Sequence, residues 1–380
     1  TAFVTDDSRF SYMVPEGGWD TIVQPLVSVA NFAVSVNEPR YRAFHALMHN
    51  PIGFWLVPVA AHNQSFGKSY RPDLFVERAA DALADVSQND QFFFALHSCV
   101  LHAPGDRPFP WYNMYDQKGY RGGNRFHYSR SGTELLVEDT TTGEEINVVS
   151  EQDVRIYDSG IDMADRLVGR IVGDLKASGL WDNSIVVLFS DHGEEHWAPD
   201  LPYNYGGPNH GFHPYGDGQF NVELAIHFPD GAHAGERVSD PVRLIDLAPT
   251  IADALGLDWP NEIDGLSTLP LIEGETEDTL RQVYIETGLS EGRYWPKGHK
   301  RYPFKKVSER YRVDVETGRV HIRPEVRPHL IAGKDRILQR GKYKLAWIAM
   351  RRGVRFHLFD REVDPYNRTD IKDREPLITA

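Results

Sequence analysis

Two adjacent side chains that can bind a metal ion, Asp191 and His192, follow an apolar segment at residues 185–189 (IVVLF). A short, continuous run rich in β-branched residues predicts a strand that is buried on both faces, as in a parallel sheet. Open α/β sheets bind their ligands at the carboxyl ends of such strands. Neighbouring side chains of a strand point to opposite faces, but a break at Gly193 lets both turn toward one point. The sequence therefore predicts a metal site here, with ligands that suit Ca²⁺, Mg²⁺, Mn²⁺ or Zn²⁺.

Histidines in two other segments favour this site over a simpler interpretation, in which the aspartate caps a turn beside a surface histidine. His210 and His213 lie in a loop rich in glycine and proline, and His102 follows a second apolar segment (QFFFALH). Loops that follow the strands of one sheet meet at one edge of that sheet. We therefore expect one cleft lined by four residues: His102, Asp191, His192 and His210.

The composition limits the classes of function. Of 380 residues, 41% are hydrophobic and 25% are charged, which is ordinary for a soluble globular protein. The formal net charge of -14 argues against a nucleic-acid partner. The single cysteine, Cys99, excludes an internal disulfide and a cysteine-based zinc site, and we expect it to be a small buried residue near a strand end. No signal-peptide pattern opens the sequence, and no apolar run is long enough to span a bilayer.

Alternating helical and strand-like patterns predict an α/β fold. A segment with apolar residues at helical spacing (PDLFVERAADALADVSQ) precedes the strand at 91–97. A long amphipathic helix, which we expect to end at Gly179, precedes the strand at 185–189. A further strand (VELAIHFP) and helix (LIDLAPTIADALG) follow, so the pattern indicates a mixed or parallel sheet between helices, with catalytic loops at one edge.

The domain organisation follows from a change of pattern near Gly274. Residues 105–150 interrupt the α/β pattern and include a hairpin-like segment (VEDTTTGEEINVV). After Gly274 the sequence changes to short strand-like runs separated by turns. We expect an α/β domain at 1–274 and a smaller β-rich subdomain at 275–380.

Several segments in the same order along the chain resemble the sulfatases, within the alkaline phosphatase superfamily. They cover most of residues 71–370, and their shared order carries the resemblance: FFFALHSCVLHAPGDRPF, YDSGIDMADRLVGRIVGDLKASGLWDNSIVVLFSDHGEEH, NHGFHPYGDGQFNVELAIHFPDG, VRLIDLAPTIADALG, DGLSTLPLIEG and GKYKLAWIAMRRGVRFHLFDREVDPYN. The resemblance implies an alkaline-phosphatase-like sheet flanked by helices. It also implies that Asp191 and His192 are metal ligands, and that His102 and His210 contact the sulfate or phosphate oxygens and the leaving group.

The nucleophile motif of this family, Cys/Ser-x-Pro-Ser-Arg, is not found in this sequence. Val-Leu-His-Ala follows Cys99, which therefore does not match. Asp6 and Asp7 resemble the acidic metal-ligand pair of the family, but their segment is more similar to the part after the nucleophile, so we expect them to lie outside the metal site. We expect an N-terminal part with the formylglycine nucleophile to be absent, cleaved or on another chain. We also expect the chain alone to bind metal weakly and to show negligible turnover.

The resemblance implies metal-dependent hydrolysis of a small-molecule sulfate ester, with Ca²⁺ as the first choice of metal and Mg²⁺, Mn²⁺ or Zn²⁺ as alternatives. A phosphate or phosphonate ester hydrolase, a phosphoethanolamine-type transferase of the same superfamily, and a non-catalytic protein with this fold are the rival functions. A formylglycine would indicate a sulfatase, and an unmodified Ser or Thr would indicate phosphoryl transfer. The expected partners are a sulfate or phosphate ester and the N-terminal segment as a separate chain, with an oligomer left open.

Overall fold

The computed structural model describes two compact units of the chain, Thr1–Glu134 with Val149–Trp181 and Leu135–Val148 with Asp182–Ala380. The described residues are 1–7, 18–25, 52, 72–102, 107, 110–111, 114–115, 118, 135–138, 145–148, 151–194, 210–211, 216–258, 262–275, 281–287, 300, 307–314, 316 and 320–375. His213 lies outside these residues. The sequence predicts a domain boundary near Gly274. The two units, which are defined by contacts between residues, do not divide there, and the predicted boundary stays a prediction.

The first unit contains a three-stranded parallel sheet and two helices. Its elements are β1 (Ala2–Thr5), β2 (Thr21–Val23), α1 (Pro72–Val86), β3 (Phe94–His97) and α2 (Glu151–Ala177). The strand order is β2-β1-β3, with β1 in the centre. Since the strands are parallel, the residues that follow β1 and β3 emerge at the same edge of the sheet. This edge carries Asp6, Asp7, Ser98 and Cys99.

Helix α1 packs its apolar face on this sheet, as its sequence pattern predicts. Phe75, Ala79 and Ala82 recur on one side of the helix and are buried in the same cluster as Val4 of β1. Met163 of α2 completes the buried contact from the other helix. The helical period thus places one apolar stripe of each helix against the sheet and forms the core of this unit.

The predicted end of α2 at Gly179 is confirmed. Gly179 has a φ of 72°, in the left-handed region that glycine adopts without a steric cost. The Leu180 N–H donates to the Leu175 carbonyl at 2.9 Å, and the Gly179 N–H donates to the Lys176 carbonyl at 3.2 Å. These bonds satisfy carbonyls at the helix end and turn the chain toward the next strand.

The second unit contains the remaining elements. Its strands are β4 (Leu135–Glu138), β5 (Glu145–Val148), β6 (Val186–Phe189), β7 (Leu224–His227), β8 (Gln282–Glu286), β9 (Tyr311–Val313), β10 (Val320–Ile322), β11 (Arg336–Arg340), β12 (Tyr343–Ala349) and β13 (Val354–Asp360). Its helices are α3 (Leu247–Ala254), α4 (Leu269–Ile272), α5 (Val307–Arg310) and α6 (Arg327–Gly333). Short 3-10 helices lie at Trp181–Asn183, Asp217–Gln219, Pro229–Gly231 and Leu244–Asp246. The antiparallel pair β4–β5 confirms the predicted hairpin.

Strand β6 forms where it is predicted, but its environment differs from the prediction. It pairs antiparallel with β7 rather than in a parallel ladder, with Phe189 opposite Leu224. Leu188 and Phe189 are 46% and 49% exposed, so the prediction of burial on both faces is wrong. An apolar run favours a strand through its β-branched side chains, whereas the direction of pairing and the cover on each face depend on segments far along the chain.

An antiparallel sheet follows in the C-terminal part, where the sequence predicts a β-rich portion. The strand order is β13-β12-β11-β8. Its buried face gathers Ile337, Ala346, Ile348 and Phe359. Among the described residues, no helix is both long and apolar enough to cross a membrane.

Candidate active site

Asp191 and His192 leave strand β6 with their side chains turned toward each other. The Asp191 Oδ1 atom accepts the His192 backbone N–H at 2.9 Å. The His192 Nδ1 atom lies 2.8 Å from the carbonyl oxygen of Gly193. A carbonyl can only accept, so Nδ1 carries the proton and donates, and Nε2 carries the lone pair. Nε2 lies 3.8 Å from Asp191 Oδ2, so the predicted convergence of these two groups occurs.

This pair of donors fits a divalent ion. Two ligands at about 2.4 Å from one cation are separated by about 3.4 Å at a right angle and by about 3.9 Å at a tetrahedral angle. The observed separation of 3.8 Å between His192 Nε2 and Asp191 Oδ2 lies in that range. The Asp191 side chain is 69% exposed, so an ion can reach it from solvent. One carboxylate and one imidazole suit several divalent metals and do not by themselves select one.

His210 lies directly beside His192, as the sequence predicts. Their rings stack with centroids 3.9 Å apart and planes 29° apart. The His210 Nδ1 atom lies 3.0 Å from Glu194 Oε2. An ionised carboxylate accepts, so Nδ1–H donates to Glu194 and the Nε2 side of the ring is directed elsewhere. This arrangement suits an imidazole that transfers a proton at Nε2.

Glu194 is a site residue that sequence reasoning missed. Only 9% of its side chain is exposed, and it holds the His210 ring. The available signal was its position directly after the Asp-His-Gly turn, in the string DHGEEH. A buried carboxylate within reach of a histidine at a strand end indicates an orienting role, because it fixes both the tautomer and the direction of the ring.

Hydrogen bonds to one segment, the 3-10 helix Asp217–Gln219, hold the two loops of the site together. The Gly193 N–H donates to the Gln219 carbonyl at 2.9 Å. The Gly211 N–H donates to Gln219 Oε1 at 2.7 Å. A Cβ atom at position 193 would overlap the Gly218 carbonyl oxygen, so only glycine fits this approach. Gln219 thus sets the spacing between the Asp191–His192 turn and the loop of His210.

Ion pairs fasten the same 3-10 helix to the C-terminal sheet. Lys344, of which 2% of the side chain is exposed, donates its Nζ to Asp217 Oδ1 at 2.8 Å. Arg361 pairs with the other carboxylate oxygen of Asp217. Because Lys344 lies on β12 and Arg361 follows β13, the sheet at the C-terminus supports the loop that carries Gln219.

The remaining residues named from the sequence belong to the first unit. His102 lies in the turn after β3, where its backbone N–H donates to the Cys99 carbonyl at 3.0 Å. Its predicted place in one cleft with Asp191, His192 and His210 stays a prediction. Cys99 is near a strand end as predicted, but it is only partly buried and its Sγ lies 3.3 Å from Asp7 Oδ2. The prediction that Cys99 is buried is therefore only partly met, and it did not include the polar contact between the thiol and a carboxylate.

Comparison with known proteins identifies the family. A sequence model described as Sulfatase matches residues 21–257, which is more than half of the chain. The chain belongs to the sulfatase family. The resemblance drawn from the ordered motifs, and with it the alkaline phosphatase superfamily, is thereby confirmed.

Curated relatives match part of the chain. Arylsulfatase D of Homo sapiens is 30% identical over 127 residues, which cover 31% of this chain and 21% of that protein. A multifunctional alkaline phosphatase superfamily protein, PehA of Trinickia caryophylli, is 32% identical over 124 residues, which cover 32% of this chain and 23% of that protein. The matched part therefore spans less than a quarter of the length of these two relatives.

Solved structures confirm the predicted fold class. The phosphonate monoester hydrolase of Agrobacterium radiobacter aligns with 100% of this chain and 74% of its own, at a TM-score of 0.58 and 18% identity. At this level of identity the likeness concerns the fold. This sulfatase-family chain therefore has an α/β fold of the alkaline-phosphatase type.

Proposed function

We propose that this chain forms part of an enzyme that hydrolyses sulfuric esters with the help of a divalent metal. Membership of the sulfatase family supports this class of reaction. The observation that carries the proposal is the convergence of Asp191, His192 and the Glu194–His210 pair at the end of β6. A metal-binding pair next to an oriented imidazole is what the transfer of an anionic group requires.

In the proposed mechanism, Asp191 and His192 hold the metal ion and His210 acts on the leaving group. When bound, a divalent ion neutralises negative charge on the ester group. His210, oriented by Glu194, donates a proton from Nε2 to the departing oxygen. His102 is proposed to contact the sulfate oxygens, as the family resemblance implies. Ca²⁺ is the first candidate metal, and the nucleophile is proposed to be the formylglycine of this family.

The test compares two ester classes and two proteins. Release of sulfate from a chromogenic aryl sulfate, and of phosphate from the matching aryl phosphate, is measured with the 380-residue chain and with the protein as its gene encodes it. We expect the encoded protein to release sulfate in a reaction that requires added Ca²⁺ and is lost in Asp191→Asn, and the 380-residue chain alone to release negligible sulfate. Asp182→Asn, which removes an exposed carboxylate from the same unit, is the matched control and retains activity.

Three outcomes contradict the proposal. Preferential release of phosphate would assign the protein to phosphoryl transfer. Turnover of neither ester by the encoded protein, with metal bound, would favour a non-catalytic member of the fold. Sulfate release that is unchanged in Asp191→Asn would show that the metal site is elsewhere.

A further inference from the structure

A second group of metal-binding side chains lies at the carboxyl edge of the parallel sheet in the first unit. Strands β1 and β3 are neighbours, with Thr5 opposite His97, so the residues after each strand emerge side by side. Asp6 follows β1, and Cys99 lies two residues beyond β3. One ligand atom from each of Asp6, His97 and Cys99 lies within 4.8 Å of the other two. The sheet therefore brings an oxygen, a nitrogen and a sulfur donor to one point.

We propose that Asp6, His97 and Cys99 bind a divalent ion of the zinc type. The Cys99 Sγ and His97 Nε2 atoms are 3.7 Å apart. Ligands of a tetrahedral zinc ion, at about 2.3 Å for sulfur and about 2.0 Å for nitrogen, are separated by about 3.5 Å. A thiolate and an imidazole select zinc or a similar transition metal over calcium or magnesium, which prefer oxygen ligands.

Contacts outside the three ligands hold them in place. Thr5 Oγ1 lies 3.0 Å from His97 Nδ1, and it accepts the Asp7 backbone N–H at 3.0 Å. With Nε2 directed at the metal, the Nδ1–H group donates to this hydroxyl and fixes the ring. The carboxylate of Asp6 accepts the Cys99 backbone N–H at 2.8 Å. The aspartate and cysteine ligands are therefore tied to each other before an ion arrives.

The charges of the group favour a cation. Asp6 and Asp7 are both fully buried at the strand end. Buried carboxylates are costly unless hydrogen bonds, a charge partner or a metal ion compensate for the lost hydration. A divalent ion adds two positive charges at this point. On binding, the Cys99 thiol, 3.3 Å from Asp7 Oδ2, loses its proton to solvent, and a metal–sulfur bond takes its place.

The cysteine count does not exclude this site, so the expectation that a single cysteine excludes a cysteine-based zinc site was too broad. A single cysteine rules out zinc sites built from several thiolates, but a mixed set of one thiolate, one imidazole and one carboxylate needs only one. Three protein ligands leave a fourth position open, which is the arrangement of zinc sites that bind water or a substrate atom. The donors differ in kind from the carboxylate and imidazole at Asp191 and His192, because they include sulfur.

Cobalt titration of the full chain tests the proposal, because Co²⁺ bound to a thiolate absorbs in the near ultraviolet. Cys99 is the only cysteine, so a thiolate–cobalt band can arise from it alone. We expect the band to appear and to disappear when Zn²⁺ is added. Thr5→Val lowers zinc affinity by about 10- to 100-fold, the usual cost of losing a residue that hydrogen-bonds a metal ligand. Cys99→Ser abolishes the band, and His97→Gln or Asp6→Asn lowers zinc affinity further than Thr5→Val.

Asp191→Asn is the matched control, because it removes a carboxylate from the other candidate site and leaves the thiolate–cobalt band unchanged. A second measurement needs no variant: zinc protects Cys99 of the unaltered chain from alkylation by iodoacetamide, and a chelator restores the reaction. Cobalt binding without the thiolate band overturns the proposal. So does alkylation of Cys99 at the same rate with and without zinc.

Discussion

The imidazole of His192 owes its orientation to a backbone carbonyl. Because the Gly193 carbonyl accepts the Nδ1 proton at 2.8 Å, the lone pair of Nε2 faces the same side as Asp191 Oδ2. His210 takes its orientation from a side chain instead, since Glu194 accepts its Nδ1 proton. Two stacked imidazoles are thus held with different partners, which suits one for a metal and the other for proton transfer.

Replacement of Asp191 by Asn removes the only negative charge from the proposed metal pair. Removing a residue that hydrogen-bonds a metal ligand usually lowers metal affinity by about 10- to 100-fold. We expect Asp191→Asn to lower the Ca²⁺ affinity by more than that. Isothermal titration of Ca²⁺ into the protein as its gene encodes it, with and without Asp191→Asn, measures this difference. Asp182→Asn, an equal loss of charge at an exposed position of the same unit, should bind as the unaltered chain does. Equal affinity in all three proteins would refute the assignment of Asp191.

We expect the loss of Glu194 to lower catalysis less than the loss of His210. If His210 is the general acid, His210→Asn lowers kcat by about 10²–10⁴-fold, the usual contribution of a positioned acid. Glu194→Gln keeps the shape but removes the ionised acceptor of the Nδ1 proton, so it loses part of that factor. Steady-state kinetics of the encoded protein and its variants with the aryl sulfate measures both. A larger loss in Glu194→Gln than in His210→Asn would mean that Glu194 acts directly rather than through the ring.

Two glycines of helix α2, Gly160 and Gly173, differ in the space around their Cα atoms. Arg107 is 1% exposed and passes under Gly160, where it donates to the carbonyls of Ile156 and Val100 at 3.1 and 2.9 Å. A Cβ atom at Gly160 would overlap the guanidinium, which its buried bonds hold in place. Gly173 lies about 20 Å further along the same helix, at the usual rise of about 1.5 Å per residue. A Cβ atom there meets nothing within 4 Å.

The two alanine substitutions should therefore have opposite signs. Gly160→Ala forces the Arg107 site apart and lowers the free energy of unfolding by about 1–3 kcal/mol, as overpacking does. Gly173→Ala raises it by about 0.5–1 kcal/mol, because alanine has less backbone freedom to lose in a helix. Urea unfolding followed by circular dichroism measures both. Equal effects of the two substitutions would show that the Arg107 contact does not limit position 160.

Across the second unit, Asp246 ties together segments that are distant in sequence. It is 1% exposed and pairs with Arg243 at 2.7 Å and Arg281 at 2.9 Å. It also accepts the Leu266 backbone N–H at 2.9 Å. Burial by itself raises the pKa of Asp246, but the hydrogen bonds from Arg243, Leu266 and Arg281 outweigh it and hold the pKa below its ordinary value of 3.8.

This lowered pKa makes a contribution to stability that depends on pH. The carboxylate stabilises the folded state fully above the unfolded pKa near 3.8, and this stability is lost as the pH falls through the lower folded pKa. Asp246→Asn should cost about 3–5 kcal/mol at neutral pH, because two arginines lose their buried partner. The difference between this variant and the unaltered chain should shrink below about pH 4.

Unfolding by urea at a series of pH values measures this difference. Asp258→Asn, at an exposed position of the same unit, is the matched control and should follow the unaltered chain at every pH. A cost of Asp246→Asn that stays constant from neutral to acidic pH would contradict the role of the ionised carboxylate.

The amino-acid sequence by itself determined the elements whose signals are local. The apolar period of α1, the glycine end of α2 and the β4–β5 hairpin depend on neighbours a few residues apart, so a short window predicts them. The ordered motifs likewise identified the sulfatase family and its fold. The Asp-His-Gly turn was enough to place Asp191 and His192 at a strand end.

Only the tertiary structure decided the contacts between distant segments. Glu194 and His210 are 16 residues apart, and Asp6 and Cys99 are 93 apart. The antiparallel partner of β6 and the exposure of Phe189 were also decided at this level. The physical reason is that a local pattern fixes backbone conformation, whereas the pairing of strands selects which loops meet. Side chains with no local signal of function become neighbours through that pairing.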